Sequence, residues 1–296
     1  MPLYSVIIRA HNEEKFIGKL FESLFEQTII EQTEVILVDS GSKDRTIEIA
    51  KSFPVKIIHI QPHDFTFGRA LNKGILAASG EIMIFASAHV YPTNKHWLEN
   101  LVKPFSNEKI ALSYGRQVGN EITKYSEHQI FKKWFPAESH FVQKHPFCNN
   151  ANCAIRKSLW ESQTYDEDIT GLEDLAWANK ILQKGYWISY VAEAAIVHIH
   201  EETPKKIRNR YKREAIAYKN IFPEAHFSLA DFVLLFISNT FSDYIHAVRE
   251  GKFWENLLDI PMFRFMQFWG TYQGYRHQGT ITEILKRRFY YPNSIR

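Results

Sequence analysis

The chain has 296 residues, 45% of them hydrophobic and 15% aromatic, which gives room for one large domain, or one domain with an appendage, and excludes a disordered chain. Its formal net charge is +3, from 36 basic and 33 acidic residues. So mild a surplus does not point to nucleic acid as a partner, although a local basic patch could still favour anionic nucleotides or lipid headgroups.

Residues 4–9 read as a β-branched strand. Residues 13–27 follow with Phe16, Ile17, Leu20, Phe21, Leu24 and Phe25, a spacing that makes one apolar helix face. A second strand over 34–38 leads through Asp39-Ser-Gly-Ser into a helix over 44–52, and Val55–Ile60 reads as a third strand. A helix over 69–78, closed by Gly80, and a strand over 81–86 complete a β-α-β-α-β-α-β run. That alternation predicts an α/β fold with a mostly parallel central sheet flanked by helices. Residues 1–92 form its expected nucleotide-binding half and 93–222 an acceptor half.

The middle is less regular. A helix is expected over 97–105, strands over 110–114 and 151–156, and a mobile, partly helical region over the site at 119–147. A helix over 172–184 ends at Gly185, and two strands are expected at 187–192 and 195–199. After Pro204 comes a basic helix over 205–217. Two aromatic-rich stretches follow at 227–248 and 253–269, then the tail Lys286-Arg-Arg-Phe-Tyr-Tyr291. Residues 223–296 read as a helical appendage.

Cys148 and Cys153 make neither a disulfide framework nor a zinc site, and a reducing cytoplasm is expected. The N-terminus has no signal-peptide pattern, and no apolar run reaches the ~18 residues of a membrane span. Aromatic residues beside basic ones in 227–269 suit either helix packing or a peripheral membrane contact.

Two strand ends carry the polar tips that suit a ligand. Open α/β sheets bind ligands beyond the carboxyl ends of their strands. Asp39 ends the strand 34–38, and Ala10-His-Asn-Glu-Glu14 ends the first. No Gly-x-Gly-x-x-Gly, Gly-Lys-Ser/Thr, Gly-x-Ser-x-Gly or His-Glu-x-x-His motif is present, which argues against nicotinamide dehydrogenases, P-loop enzymes, serine hydrolases and zinc proteases.

The ordered set Ser5-Val-Ile-Ile-Arg-Ala-His-Asn-Glu-Glu14, Val38-Asp-Ser-Gly-Ser-Lys-Asp-Arg-Thr46, Phe67-Gly-Arg-Ala-Leu-Asn-Lys-Gly74, Ala78-Ser-Gly-Glu81, Glu173-Asp174 and His198-x-His200 resembles family 2 glycosyltransferases, which have the GT-A fold. The resemblance covers roughly residues 4–215, and the strand-end variants resemble rhamnosyltransferase-like members. It implies an inverting transferase that moves a sugar from a nucleotide-sugar donor to a hydroxyl of a glycan or lipid-linked acceptor in surface polysaccharide synthesis. Ala10, His11, Glu13, Asp39 and Ser40 would line the nucleotide pocket. Arg69 and Arg208, with Ser87, would face the pyrophosphate, and Arg210 and Arg213 share the helix of Arg208. Asp174 would be the catalytic base, with Glu173 beside it.

One departure stands out. Ser87-Ala-His89 occupies the place of the family's Asp-x-Asp, whose carboxylates hold a divalent cation, so a Mn²⁺ or Mg²⁺ requirement stays open. His89, His198 and His200 are the candidate ligands. A sugar-phosphate nucleotidyltransferase is an alternative, but the segment Ser5–Glu14 lacks the glycines it would need. A catalytically inactive glycan-binding or scaffold protein is the other, supported by the missing Asp-x-Asp. The expected location is cytoplasmic or peripheral on the inner face of the cell membrane.

Overall fold

The computed structural model describes residues 2–279 together with Leu285, Phe289 and Tyr290; the expected basic tail falls largely outside the described residues. Two compact units are present. The first comprises Met1–Asn120, Trp134–Asp168 and Glu173–Ile199; the second comprises Glu121–Lys133, Ile169–Leu172 and His200–Arg296.

The first unit is an α/β sheet of nine strands in the order β3-β2-β1-β4-β8-β6-β9-β5, with β7 pairing β9. Strands β1 (Tyr4–Ala10), β2 (Thr33–Asp39), β3 (Lys56–His59) and β4 (Ile82–Ser87) are parallel to one another. Helices α1 (Ile17–Phe25), α2 (Thr46–Ala50) and α3 (Phe67–Leu76) connect them. The apolar spacing read in the sequence is the face α1 buries: Ile17, Leu20, Phe21 and Leu24 pack with Val6, Ile8, Val35 and Leu37 of the sheet. Burial of each such side chain stabilises by roughly 1.5–3 kcal/mol.

Beyond β4 the sheet turns mixed. Strand β8 (Asn152–Arg156) runs antiparallel to β4 and to β6 (Ile110–Val118), while β6 and β9 (Trp187–His198) are parallel. The mostly parallel sheet expected from the βα alternation is therefore confined to the N-terminal half plus the β6–β9 pair. The two strands expected at 187–192 and 195–199 are one strand with a bulge. Gly115 pairs Val191 and Gln117 pairs Ile196, so β9 spends extra residues between those pairs. The Ala194 carbonyl enters where a Cβ on Gly115 would sit, and the Asn152 amide donates to that carbonyl at 2.8 Å. The unit also holds β5 (Val90–Pro92), α4 (Trp97–Val102), β7 (His140–Gln143), α6 (Lys157–Ser162) and α7 (Glu173–Gln183).

The second unit is helical. It takes in most of α5 (Tyr125–Trp134), with α8 (Pro204–Ile221), α9 (Leu229–Arg249), α10 (Phe253–Asn256) and α11 (Asp259–Tyr275). Ser228 and Asp231 form a capping box that starts α9. The expected region at 119–147 thus resolves into α5 and the strand β7. Aromatic rings join α9 to α11: Phe232 meets Phe265, Trp269 and Tyr272. A buried Arg264–Asp243 pair is made from two guanidinium nitrogens, at 2.7 and 2.9 Å, with the Ser126 hydroxyl donating to the same carboxylate.

Candidate active site

Register places three polar strand ends side by side: Ala10 opposite Asp39, and Arg9 opposite Ser87. The Ala10 carbonyl accepts from the backbone N–H and hydroxyl of Ser40, at 3.0 and 3.3 Å. Asp39 is 2% exposed; its carboxylate accepts the N–H groups of Gly41 (3.0 Å) and Ser42 (3.2 Å), with the His59 ring at 3.4 Å. Gly41 sits at φ +85°, the conformation this turn needs and glycine adopts without strain. Asn12, at φ +56°, accepts from the Lys43 N–H and donates its own N–H to the Ser42 hydroxyl. Glu13 donates its N–H to Thr46, and Glu14 donates its own to Asp44. The loops after β1 and β2 are therefore laced together before any ligand arrives. His11 lies within this lacing, its Nδ1 donating to the Ser40 carbonyl at 3.2 Å.

At the end of β4, His89 Nδ1 donates to Glu13 Oε1 at 2.9 Å. Its ring stacks on that of His198, with centroids 5.2 Å apart and 21° between planes. His198 Nδ1 in turn donates to Gln117 Oε1 at 2.7 Å. A neutral imidazole whose Nδ1 carries the hydrogen has its lone pair on Nε2, the arrangement that outer carboxylates and amides impose on metal-binding histidines. One ligand atom of His89 and one of His198 lie within 4.8 Å of each other. This donor set fits a divalent transition ion; Mg²⁺ prefers carboxylate and water oxygens. His200 belongs to the second unit, where its Nδ1 donates to Glu127 Oε1 at 2.8 Å, again fixing the tautomer.

The acidic pair opens α7. Leu172, directly before it, is held at φ +57°, a conformation that costs a branched side chain about 1–3 kcal/mol and that clusters at functional sites. Glu173 accepts from Arg9 at 3.0 Å and from the Asn150 amide at 3.3 Å. Asp174 accepts the Asn150 N–H at 2.9 Å and the Leu175 N–H at 2.8 Å. Both carboxyls are buried. Burial, and then the neighbouring Glu173 carboxylate, push the Asp174 carboxyl up to about 7. One cation, Arg9, thus serves two adjacent buried acids.

The other expected contacts are less simple. Arg69 donates Nε to Glu167 at 2.7 Å and a terminal nitrogen to the Asp64 carbonyl, so a carboxylate already holds the fork expected to face a pyrophosphate. Ser87, half-buried, ends β4. Arg208 lies on α8 in the second unit. On the same helix Arg210 is not part of a solvated face. It bridges Glu127 (2.8 Å) and Glu202 (2.7 Å), and these two acids with His200 form a half-buried ionic cluster centred on the buried Glu127. Burial alone would raise Glu127; the charges of His200 and Arg210 outweigh it and hold the carboxyl down at about 2. Sequence reading missed Arg9, Asn150, Gln117 and Glu127. Only Arg9 carried a signal, as a charge at the end of an otherwise apolar strand.

Residues 5–162 match the sequence profile of the family described as Glycosyl transferase family 2. The O-antigen chain rhamnosyltransferase WbaN of Salmonella anatum is 26% identical over 223 residues, covering 71% of this chain and 70% of that protein. The O-antigen chain rhamnosyltransferase RfbN of Salmonella typhimurium is 29% identical over 70% of this chain and 69% of its own length. Among solved structures, the mannosyltransferase PcManGT from Pyrobaculum calidifontis, in complex with GDP-Man and Mn²⁺, superimposes with a TM-score of 0.63. It is 17% identical and covers 99% of this chain and 88% of its own. S. aureus TarS 1-349 with UDP-GlcNAc gives a TM-score of 0.55 at 16% identity, covering 92% of this chain and 90% of its own. These likenesses show a GT-A-like fold.

Proposed function

The chain belongs to glycosyl transferase family 2 and is a glycosyltransferase, and from that premise we propose that it transfers a sugar, with inversion, from a nucleoside-diphosphate donor to a hydroxyl of a glycan or lipid-linked acceptor in surface polysaccharide synthesis. The relatives named as O-antigen rhamnosyltransferases support a deoxyhexose donor. A dolichyl-phosphate glucosyltransferase of Trichomonas vaginalis, 32% identical over 43% of this chain, supports a lipid-linked acceptor.

The observation that carries the reading is the Arg9–Glu173–Asn150–Asp174 cluster. Arg9 neutralises Glu173, and the second acid is left with a proton affinity near neutrality, which suits a general base. Asp174 takes the proton of the acceptor hydroxyl as that oxygen bonds to the anomeric carbon. The bond from that carbon to the nucleoside diphosphate breaks, and the configuration inverts. Asp39, His11, Ser40 and Ala10 form the base and ribose pocket, and Glu13 orients His89. Arg69 and Ser87 take the pyrophosphate, with Arg69 exchanging Glu167 for it.

His89 and His198 would hold a divalent cation between their Nε2 atoms. Such a cation would supply positive charge against the departing pyrophosphate.

A panel of nucleoside-diphosphate sugars, each incubated with the chain and an acceptor fraction, tests the reading through release of nucleoside diphosphate. Release from one donor class, abolished by Asp174→Asn, is expected. Thermal stabilisation by the matching nucleoside diphosphate should reach about 2.7 kcal/mol at ~100 times its dissociation constant. Mn²⁺ should restore activity after EDTA better than Mg²⁺. No stabilisation by any nucleoside diphosphate would overturn the proposal.

A further inference from the structure

Helix α9 buries Phe232, Thr240, Asp243 and Ala247 within the second unit. Beside that side it leaves Leu229, Val233, Leu234, Ile237, Phe241, Ile245 and Val248 exposed, and these lie on a single arc of the helix. From Phe232 to Ser242 there is no charged residue. The exposed apolar arc is flanked by a polar one of Asp231, Ser238, Ser242, His246 and Arg249, the pattern of an amphipathic helix that lies in an interface.

Just beyond the end of α9, Trp254 and Leu258 are each 81% exposed. Arg249 and Lys252, both exposed, lie between Val248 and Trp254 in the chain. Glu250 of the same turn is engaged by Lys132 at 2.9 Å and by the Tyr125 hydroxyl at 3.0 Å. Glu255 is the other exposed carboxylate there. No helix of the described residues is long and apolar enough to cross a membrane, so the stripe suits a helix lying in the surface plane.

We propose that this face of α9, with Trp254 and Leu258, docks on an anionic lipid bilayer. The apolar stripe enters the acyl boundary, the indole sits at headgroup level, and Arg249 and Lys252 meet lipid phosphates. The charge complementarity of Arg249 and Lys252, and the exposed Trp254 indole that follows them in the chain, select a bilayer over a second copy of the chain. The inference rests on the proposed function only in that a lipid-linked acceptor would be found there.

Flotation of the full chain with vesicles tests it. Binding to vesicles of phosphatidylglycerol and phosphatidylethanolamine is expected, with weaker binding to phosphatidylcholine alone. The double variant Leu234→Glu, Ile237→Glu should partition at least tenfold less. Both positions are exposed, so its circular dichroism should match that of the parent. Arg249→Glu with Lys252→Glu should lower binding to the anionic vesicles selectively. Vesicle binding that the apolar double variant leaves intact would overturn the proposal. So would a parent chain that ignores both vesicles, whether monomeric or a dimer that the double variant splits. A chain that floats with vesicles yet is stabilised by no nucleoside diphosphate would instead overturn the glycosyltransferase mechanism and leave this surface standing.

Discussion

At the residue scale the acidic pair is the most consequential feature. Two adjacent buried carboxyls share one countercharge, so they cannot both ionise freely below neutrality. Activity should therefore rise with pH through about 7, as Asp174 releases its proton. The variant Asp174→Asn should fold and bind donor nucleotide within a few-fold of the parent, yet lose at least ~10²-fold in turnover. Near-normal turnover would remove Asp174 as the base and leave Glu173 as the next candidate. Arg9 acts through Glu173, so it is a positioning residue. In Arg9→Met the pair loses its cation and holds its proton harder, and the rising limb of the pH–rate profile should move up by about 1–3 units. Arg9→Lys should restore most of that shift, whereas a purely structural arginine would give no rescue and no shift. The placement of Asp39 at a strand end and of Glu173–Asp174 at a helix start was legible in the sequence, while the roles given to them came from the family resemblance. Asn150 was not, because its role depends on a backbone N–H that reaches Asp174 across 24 residues.

At the scale of elements, periodicity was a good guide wherever one face alone was buried. The α1 and α3 helices and the first four strands fall close to their expected positions. The β9 strand was split in the reading because Glu193-Ala-Ala195 interrupts its alternation, and the structure accommodates those residues as a bulge instead. The bulge depends on Gly115: a Cβ there would stand 2.0 Å from the Ala194 carbonyl oxygen and 2.4 Å from the Asn152 amide. Both neighbours are fixed, one by backbone and one by its hydrogen bonds. Gly115→Ala should therefore destabilise the chain by about 1–3 kcal/mol or more, read by urea unfolding. Because β9 ends in His198, the same variant should weaken cation binding more than nucleotide binding. A stability loss under ~0.5 kcal/mol would mean that the bulge relaxes without cost. The basic helix α8 shows the opposite limit of sequence reading. Its arginines suit a pyrophosphate or a solvated face equally in the sequence, and only the fold reveals that Arg210 sits half-buried between two acids.

At the scale of the whole molecule, the expected division at residue 222 and the two compact units are drawn differently. Residues 121–133 and 169–172 join the C-terminal helices. Those are long-range associations that composition and periodicity do not encode. The units also carry buried acids of opposite character, which makes pH a probe of each. In the second unit Glu127 is held at about 2, below its ordinary value of 4.5. Its stabilising contribution is complete above about pH 4.5 and is lost as pH falls toward 2, where the folded carboxyl takes up a proton. In the first unit Asp174 is raised from 3.8 to about 7. The folded state then keeps a proton that the unfolded chain releases, so stability declines as pH climbs from about 4 to 7. Glu127→Gln should lose on the order of 1–3 kcal/mol at neutral pH, because Arg210 and His200 then face a neutral amide. It should also flatten the acid limb of stability between pH 4.5 and 2.5. Asp174→Asn should leave that acid limb alone and flatten the decline between pH 4 and 7. Urea midpoints across pH 2.5–8 for the three proteins make the comparison. If Glu127→Gln tracks the parent in parallel below pH 4.5, the cluster of Glu127, His200, Arg210 and Glu202 is not what holds the second unit against acid.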